Sequence, residues 1–176
     1  SEVTDSTIEM CKRAQKYYPK CGTVLQAYMK RTLDDIDLLK SHNTNIRLCK
    51  GAYKESEDIA YQDYQEIRNN YMESAEKMMD NGIYIGLATH DGWLIEKLEK
   101  LIEKKAYNKN MYEFQALSGV PIDKILERLI NEGHKVRYYI PYGPEWYAYS
   151  LRRMRENPDI WKDTLKAFFF RSKHRK

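Results

Sequence analysis

The sequence has few of the residues that build metal sites or disulfide frameworks. Its three cysteines, Cys11, Cys21 and Cys49, show no CxxC spacing, and its four histidines form no HxxxH or HxH pair. An odd number of cysteines at such spacings is typical of free thiols rather than of disulfides or of a zinc site. We therefore predict a protein without a structural metal.

Longer patterns are absent as well. No apolar run approaches the ~18 residues of a membrane span, and no basic segment followed by an apolar one opens the chain. Both absences favour an unexported, cytoplasmic protein. The sequence also contains no GxGxxG or GxxxxGK[ST] motif, which excludes the common glycine-rich loops that cradle nucleotide phosphates.

The composition is that of a chain able to build a core. Hydrophobic residues make up 42% of the 176 residues and charged residues 32%. The net charge of +4 is mild, so we expect no nucleic-acid partner. Much of that charge lies in residues 171–176. We interpret residues 159–176 as a helix with a basic tail, which is either a solvated terminus or a peripheral contact with the inner face of a membrane.

Two sequence periods alternate along the chain and predict its fold. Short β-branched, aromatic and apolar runs, separated by stretches with helical spacing, occur at Thr23–Tyr28, Asn45–Lys50, Tyr84–Ala88, Met111–Leu117 and Lys135–Ile140. This order, with a leading helix and no hairpin dipeptide, predicts an α/β protein with a parallel sheet. A doubly wound sheet usually has a glycine-rich first turn. We therefore predict a parallel (β/α)8 TIM-type barrel, N-terminally truncated to about five βα units within residues 1–158.

Capping signals mark the ends of several helices. Ser6 and Glu9 match a capping box at the start of the first helix. Gly82 follows the longest helical stretch and is expected to adopt the left-handed conformation of a C-terminal cap. Asp91 is a candidate N-cap for the next helix.

In parallel α/β folds the reactive groups gather at the carboxyl ends of the strands. Arg47 lies between Ile46 and Leu48, so strand alternation directs it to the opposite face. A cation inside a barrel needs either an anionic ligand or a salt bridge to a barrel carboxylate, and the sequence leaves both open. Lys50 and Gly51 follow directly; a lysine can bind a phosphate, and a glycine lets the backbone approach a ligand closely.

Two further groups of polar residues are candidates for a site. His90 follows Thr89 at the end of the third predicted strand, where it is either an acid, base or hydrogen-bond donor, or a structural histidine. A helix predicted at 145–156 carries Arg152, Arg153 and Glu156. Two neighbouring guanidiniums beside a carboxylate can hold the carboxylate of an amino acid, or they can form a solvated basic face.

In their order along the chain, these segments resemble the proline dehydrogenase family. The matching stretches are TVLQAY (23–28), RLCKGAY (47–53), ATHD (88–91), EFQ followed by GV (113–120), and VRYYIPYGPEWYAYSLRRMREN (136–157). RLxKGAY and the last stretch are the most specific of these motifs.

The resemblance implies a distorted barrel that binds FAD at the strand carboxyl ends, oxidises L-proline to Δ1-pyrroline-5-carboxylate and passes electrons to a quinone or another membrane acceptor. It makes Arg47 the catalytic residue, near the reactive flavin nitrogen. The flavin contacts that it implies are Gln26, Arg47, Lys50, Gly51, Ala52, Thr89 and His90. The substrate contacts that it implies are Tyr139, Arg152, Arg153, Glu156, Tyr53 and Leu48, with the two arginines gripping the proline carboxylate.

The chain also departs from the family pattern. Cys49 stands where the family more often has valine, and Ala116 and Ser118 replace bulkier residues. The family's first-strand lysine and third-strand aspartate have no counterpart here, so we expect a missing N-terminal barrel segment to act as a partner. Two other functions stay open: a non-flavin barrel enzyme that binds a phosphate through its last strand loops, and an inactive basic interaction fragment.

Overall fold

The computed structural model describes residues 3–40, 44–53, 55–118, 122–140 and 142–145. Helices and strands alternate along this part of the chain, as the sequence periods predict. The elements in chain order are α1 (Thr4–Gln15), β1 (Gly22–Gln26), α2 (Thr32–Leu39), β2 (Asn45–Cys49), α3 (Tyr64–Asp80), β3 (Ile85–Ala88), α4 (Gly92–Lys105), β4 (Tyr112–Leu117), α5 (Asp123–Asn131) and β5 (Val136–Tyr139).

The five strands form one sheet in which sequence order and spatial order are the same. The order is β1-β2-β3-β4-β5, and every neighbouring pair is parallel. Each crossover contains one helix, and crossovers of this kind are right-handed. Because the strand order never reverses, the crossover helices α2, α3, α4 and α5 all lie on one face of the sheet. This confirms the predicted α/β fold class and distinguishes the sheet from a doubly wound one, whose order reverses.

The core fills the space between the helices and that face of the sheet. In β2, Ile46 and Leu48 are buried, whereas Arg47 between them is exposed. The same cluster includes Ile36 of α2 and Tyr71 of α3, both fully buried. Period-two alternation thus gives β2 and β4 an apolar side that faces the helices and a second side that carries polar residues.

Helix α3 has clear signals at both ends. The side chain of Asp63 accepts hydrogen bonds from the backbone N–H groups of Gln65 and Glu66, at 2.8 and 2.9 Å. These bonds satisfy two of the free donors at the start of the helix. Beyond its end, Gly82 has a φ of +71°, which confirms the predicted left-handed cap.

The sequence predicts the N-cap of α4 correctly but not that of α1. The carboxylate of Asp91 accepts a hydrogen bond from the N–H of Trp93 at 3.1 Å, which confirms Asp91 as the N-cap of α4. The capping box at Ser6 is wrong. Helix α1 begins at Thr4, and its N-cap Val3 makes no side-chain cap bond.

Several predicted features lie outside the described residues. They are residues 146–156 of the helix predicted at 145–156, with Arg152, Arg153 and Glu156, and the helix and basic tail predicted at 159–176. Within the described residues, no helix has the length and apolar character needed to cross a membrane.

Candidate functional site

The face of the sheet opposite the crossover helices forms a pocket. Its volume is about 300 Å³, and residues of all five strands line it. A sheet that lines a pocket along its whole width is concave on that side. The lining residues are Gly22, Thr23, Val24, Asn45, Ile46, Arg47, Tyr84, Gly86, Glu113, Gln115 and Arg137.

A buried carboxylate is among the residues that line this pocket. Glu113 of β4 accepts two hydrogen bonds from the guanidinium of Arg137, at 2.6 and 2.9 Å, and one from the hydroxyl of Tyr84 at 2.9 Å. Burial on its own raises the pKa of Glu113, but the hydrogen bonds from Arg137, Gln115 and Tyr84 outweigh it and lower the pKa. The carboxylate is therefore ionised and fully partnered.

Gly86 of β3 provides the space for one of these partners. The side-chain amide of Gln115 lies across Gly86 and donates a hydrogen bond to Glu113 at 2.7 Å. A Cβ atom at position 86 would stand 2.4 Å from the Nε2 atom of Gln115. Glycine at this position therefore allows the backbone of β3 and the side chain of β4 to approach each other closely.

Arg47 projects from β2 onto the same face, towards the carboxyl end of the sheet. Its guanidinium lies 6.0 Å from the centre of the Tyr139 ring of β5, within range of a cation–π contact. Among the described residues, Arg47 forms no ion pair with a carboxylate. The barrel salt bridge that the sequence left open is therefore not formed within this part of the chain.

Lys50 belongs to a charged cluster at the carboxyl ends of β2 and β3. Its ammonium donates to Asp91 at 3.1 Å and to the Tyr64 hydroxyl at 2.9 Å. Arg68 binds both oxygens of Asp91 at 2.8 Å, and the Tyr64 hydroxyl donates to the same carboxylate at 2.7 Å. Burial would raise the pKa of Asp91, but these hydrogen bonds hold it well below its usual range.

His90 is a neutral side chain with one fixed hydrogen bond. The backbone N–H of Leu117 donates to Nε2 of His90 at 2.8 Å, so the proton of the neutral ring is on Nδ1. Burial and the nearby positive charges of Lys50 and Arg47 lower the pKa of His90 to about 4. His90 can therefore donate one hydrogen bond from Nδ1 at neutral pH without carrying a charge.

Gly51 and Tyr28 pack together beside this edge. Gly51 has a φ of +121°, and a Cβ atom there would lie 2.3 Å from the ring of Tyr28. The backbone N–H of Tyr28 donates to the carbonyl of Lys50 at 2.8 Å. The Tyr28 hydroxyl is buried and has no hydrogen-bond partner among the described residues. Such a group is normally satisfied in the functional protein, by water or by a ligand.

Three other candidate residues lie along the same edge. Gln26 is the last residue of β1 and is partly buried, Thr89 is buried, and Ala52 is exposed. The hydroxyl of Thr89 accepts a hydrogen bond from the N–H of Asp91 at 3.1 Å. Tyr53 is 59% exposed.

The placement of Leu48 requires a correction. Leu48 is fully buried in the core on the helix side of the sheet, and the hydroxyl of Tyr71 donates to its carbonyl oxygen at 3.1 Å. The prediction that Leu48 forms a wall of the pocket is therefore wrong. Because side chains alternate along a strand, Leu48 cannot share a face with Arg47.

The structure thus brings together Arg47, Lys50, His90 and Tyr139, which the sequence singled out. It adds two groups of interacting polar residues that the sequence interpretation missed. The pair formed by Glu113 and Arg137 had a readable signal, since both are charged residues at alternating positions in adjacent predicted strands. Arg68 and Tyr64 had no such signal, because their role depends on how α3 packs against the start of α4.

The sequence is similar to those of known proline dehydrogenases. A family model described as Proline dehydrogenase matches residues 2–164. Proline dehydrogenase 2 of Bacillus subtilis (strain 168) is 41% identical over 152 residues, which cover 86% of this chain and 50% of the relative. The proline dehydrogenase of Deinococcus radiodurans is 39% identical over 137 residues, covering 78% of this chain and 44% of the relative. The chain therefore spans about half the length of these relatives.

A solved structure with a similar fold is that of proline utilization A from Bdellovibrio bacteriovorus inactivated by N-propargylglycine. The TM-score is 0.74 at 24% sequence identity, and the match covers 90% of this chain and 19% of that one. At this identity the likeness shows a shared fold.

Proposed function

The chain belongs to the proline dehydrogenase family, and from this premise we propose that it forms the cofactor- and carboxylate-binding half of an enzyme that oxidises L-proline to Δ1-pyrroline-5-carboxylate. The observation that carries the proposal is the convergence of Arg47, Lys50, His90 and Tyr139 on one edge of the sheet. In parallel α/β folds this edge is where active sites are built.

The residues at this edge fit FAD, the cofactor that the family resemblance implies. Arg47 and Lys50 supply positive charge for an anionic ligand, and Gly51 keeps the backbone free of a side chain beside them. The buried Tyr28 hydroxyl still needs a hydrogen-bond partner, which a polar ligand would provide. When bound, FAD supplies the acceptor for the hydride that leaves proline.

The protein side chains then have three tasks. The carboxylate of proline must be fixed so that its ring C–H faces the cofactor, and by family resemblance Arg152 and Arg153 do this. Arg47 places a positive charge where negative charge accumulates during the reaction, which lowers the barrier. His90 offers its Nδ1 proton as a hydrogen-bond donor and stays neutral, so it adds no charge of its own.

We further propose that the remaining strands of a complete barrel come from the part of the family sequence that this chain does not match. The strands β1 and β5 lie at the two edges of the sheet. Exposed edges carry unpaired backbone donors and acceptors, and closing a barrel removes them. A quinone or another membrane acceptor would take the electrons from the completed enzyme.

Reconstitution tests the proposed function. The chain is combined with the half of the Bacillus subtilis relative that it does not match, and with FAD. We expect bound flavin and L-proline-dependent reduction of an artificial dye, and loss of activity when both Arg152 and Arg153 are replaced by Met. A reconstituted protein that binds no flavin, or that reduces the dye equally well without proline, would rule out the proposal.

A further inference from the structure

We propose that Asp91 is a positioning residue that holds the ammonium group of Lys50 at the carboxyl edge of β2, ready to contact an anionic group of the cofactor. The inference rests on the proposed function but assigns a new role. The family resemblance implies cofactor contacts for Lys50, Thr89 and His90 around this edge, whereas Asp91 belongs to the same ATHD motif but is given no role beyond that of a helix cap.

The geometry of Asp91 exceeds what a helix cap requires. An N-cap needs one oxygen, and Oδ1 of Asp91 accepts the bond from Trp93. Oδ2 accepts from Lys50 at 3.1 Å and from the Tyr64 hydroxyl at 2.7 Å, while Arg68 binds both oxygens. The side chain of Asp91 is only 4% exposed. A buried carboxylate with this many donors fixes the groups around it.

The partners of Asp91 are themselves fixed by aromatic rings. The guanidinium of Arg68 lies 4.4 Å from the centre of the Tyr64 ring and 4.7 Å from that of Trp93. The ammonium of Lys50 lies 4.5 Å from the centre of the Tyr64 ring. Lysine side chains normally sample many rotamers, so a lysine held by Asp91 and by the hydroxyl and ring of Tyr64 loses much of that freedom before any ligand arrives.

Because the cluster is charged, the direction in which a substitution of Asp91 changes anion affinity can test the inference. Two cations, Lys50 and Arg68, share one carboxylate, so the cluster keeps a net positive charge. Replacing Asp91 by Asn adds to that positive charge and keeps an oxygen for the helix cap. If Asp91 acted only through its charge, the substitution would strengthen the binding of an anion. If Asp91 positions Lys50, the same substitution weakens binding.

The first measurement follows Lys50 directly and needs no cofactor. The wild-type chain and D91N are treated with limiting acetic anhydride, and acetylation of Lys50 is measured by peptide mass spectrometry against Lys100 as an internal reference. We expect acetylation of Lys50 to rise about three- to tenfold in D91N, because its Nζ atom is held by hydrogen bonds to Asp91 and Tyr64 at 26% side-chain exposure, and loss of the Asp91 contact frees it to reach the reagent. An unchanged rate would overturn the inference.

The second measurement is the affinity for FAD of the reconstituted protein. We expect the apparent Kd to rise about tenfold in D91N, the size of a lost charged contact. The matched control is E96Q in α4, the helix that Asp91 caps; it removes the same charge from a carboxylate that is 63% exposed and forms an ion pair with Lys100. E96Q should bind FAD as the wild type does. Equal or tighter binding by D91N would contradict the positioning role.

A second variant covers the case in which D91N fails to fold. Y64F keeps the cap and the Arg68 pair but removes the hydroxyl that contacts both Lys50 and Asp91. In Y64F we expect the acetylation of Lys50 and the apparent Kd for FAD to rise as in D91N, but by less. If neither quantity changes in Y64F, the inference is also overturned. If the wild type itself binds no FAD, the proposed function fails, while the acetylation of Lys50 still decides whether Asp91 holds it.

Discussion

The guanidinium of Arg47 lies 6.0 Å from the centre of the Tyr139 ring, although β3 and β4 separate their strands. In a flat sheet, strands three positions apart are about 14 Å from each other. The two side chains meet because both rise from the same face and that face is curved inward. The contact therefore shows that the positive charge of Arg47 lies on the concave face of the sheet.

Replacing Arg47 by Met should abolish most activity without unfolding the protein. Arg47 is exposed and forms no ion pair among the described residues, so we expect the free energy of unfolding to change by no more than about 0.5 kcal/mol. Loss of a charge that stabilises the transition state should lower kcat by roughly 100-fold or more. Urea unfolding and proline-dependent dye reduction in the reconstituted protein measure the two effects. R13M, which removes an exposed arginine from α1, serves as the control and should leave both unchanged.

Replacing Gly51 by Ala should destabilise the fold more than the same change at Gly82. Both glycines have positive φ values, +121° and +71°, so both variants carry backbone strain of about 1 kcal/mol or more. Only at position 51 would the new Cβ collide with the ring of Tyr28, whereas nothing lies within 4 Å at position 82. We expect G51A to cost at least about 2 kcal/mol, measured by urea unfolding. Equal losses in the two variants would show that the contact with Tyr28 does not matter.

Replacing Gly86 by Ala tests the packing of Gln115. The new methyl group should displace the amide of Gln115 from Glu113, at a cost of about 1–2 kcal/mol in unfolding free energy. Truncation of Gln115 to Ala removes the obstacle. The double variant G86A/Q115A should therefore be more stable than the sum of the single losses predicts, by about 0.5–1 kcal/mol. Strict additivity in the double-mutant cycle would contradict the close approach.

The stability of the protein should depend on pH through His90. Its pKa is lowered to about 4 in the folded protein, so between pH 4 and the ordinary histidine value of 6.5 the unfolded chain binds more protons. Stability therefore rises with pH across this window and levels off above it. Asp91 acts in a lower range, since its depressed pKa removes stability only at more acidic pH.

Urea unfolding of the wild type and H90Q from pH 4 to 7 measures this effect. We expect the wild type to gain up to roughly 2–3 kcal/mol across the window. H90Q can keep an acceptor for the N–H of Leu117 but has no titrating ring, so its gain should be smaller. The pKa of His134 is also lowered, and its contribution to the pH dependence of the free energy of unfolding is present in both proteins. Identical pH profiles would mean that His90 is not protonated on unfolding in this range.

The sequence predicted the order and type of the elements well because each strand has a strong pattern. In β2, Ile46 and Leu48 alternate with Arg47, and the strand lies where that pattern predicts it. The capping box at Ser6 was wrong because the helix starts at Thr4, which places Ser6 inside its first turn. Local cap signals are weak when packing of the helix against the sheet sets its start.

The candidate site was predictable in part. Strand-end position and family motifs identified Lys50 and His90, but neither shows what a side chain contacts. The link from Lys50 through Asp91 to Arg68 joins residues far apart in sequence, and only the packing of α3 beside α4 creates it. The misplacement of Leu48 has a simpler cause, since strand alternation alone would have put it on the helix side.

The pocket face of the sheet carries ionised and amide side chains instead of a continuous apolar surface. Any polypeptide that covers this face must therefore replace the hydrating water with its own hydrogen bonds and complementary charges. The burial of apolar surface contributes little to its binding free energy. Association with such a segment should weaken as ionic strength rises and should show a small heat-capacity change, with the backbone pairing at β1 and β5 providing most of the attraction.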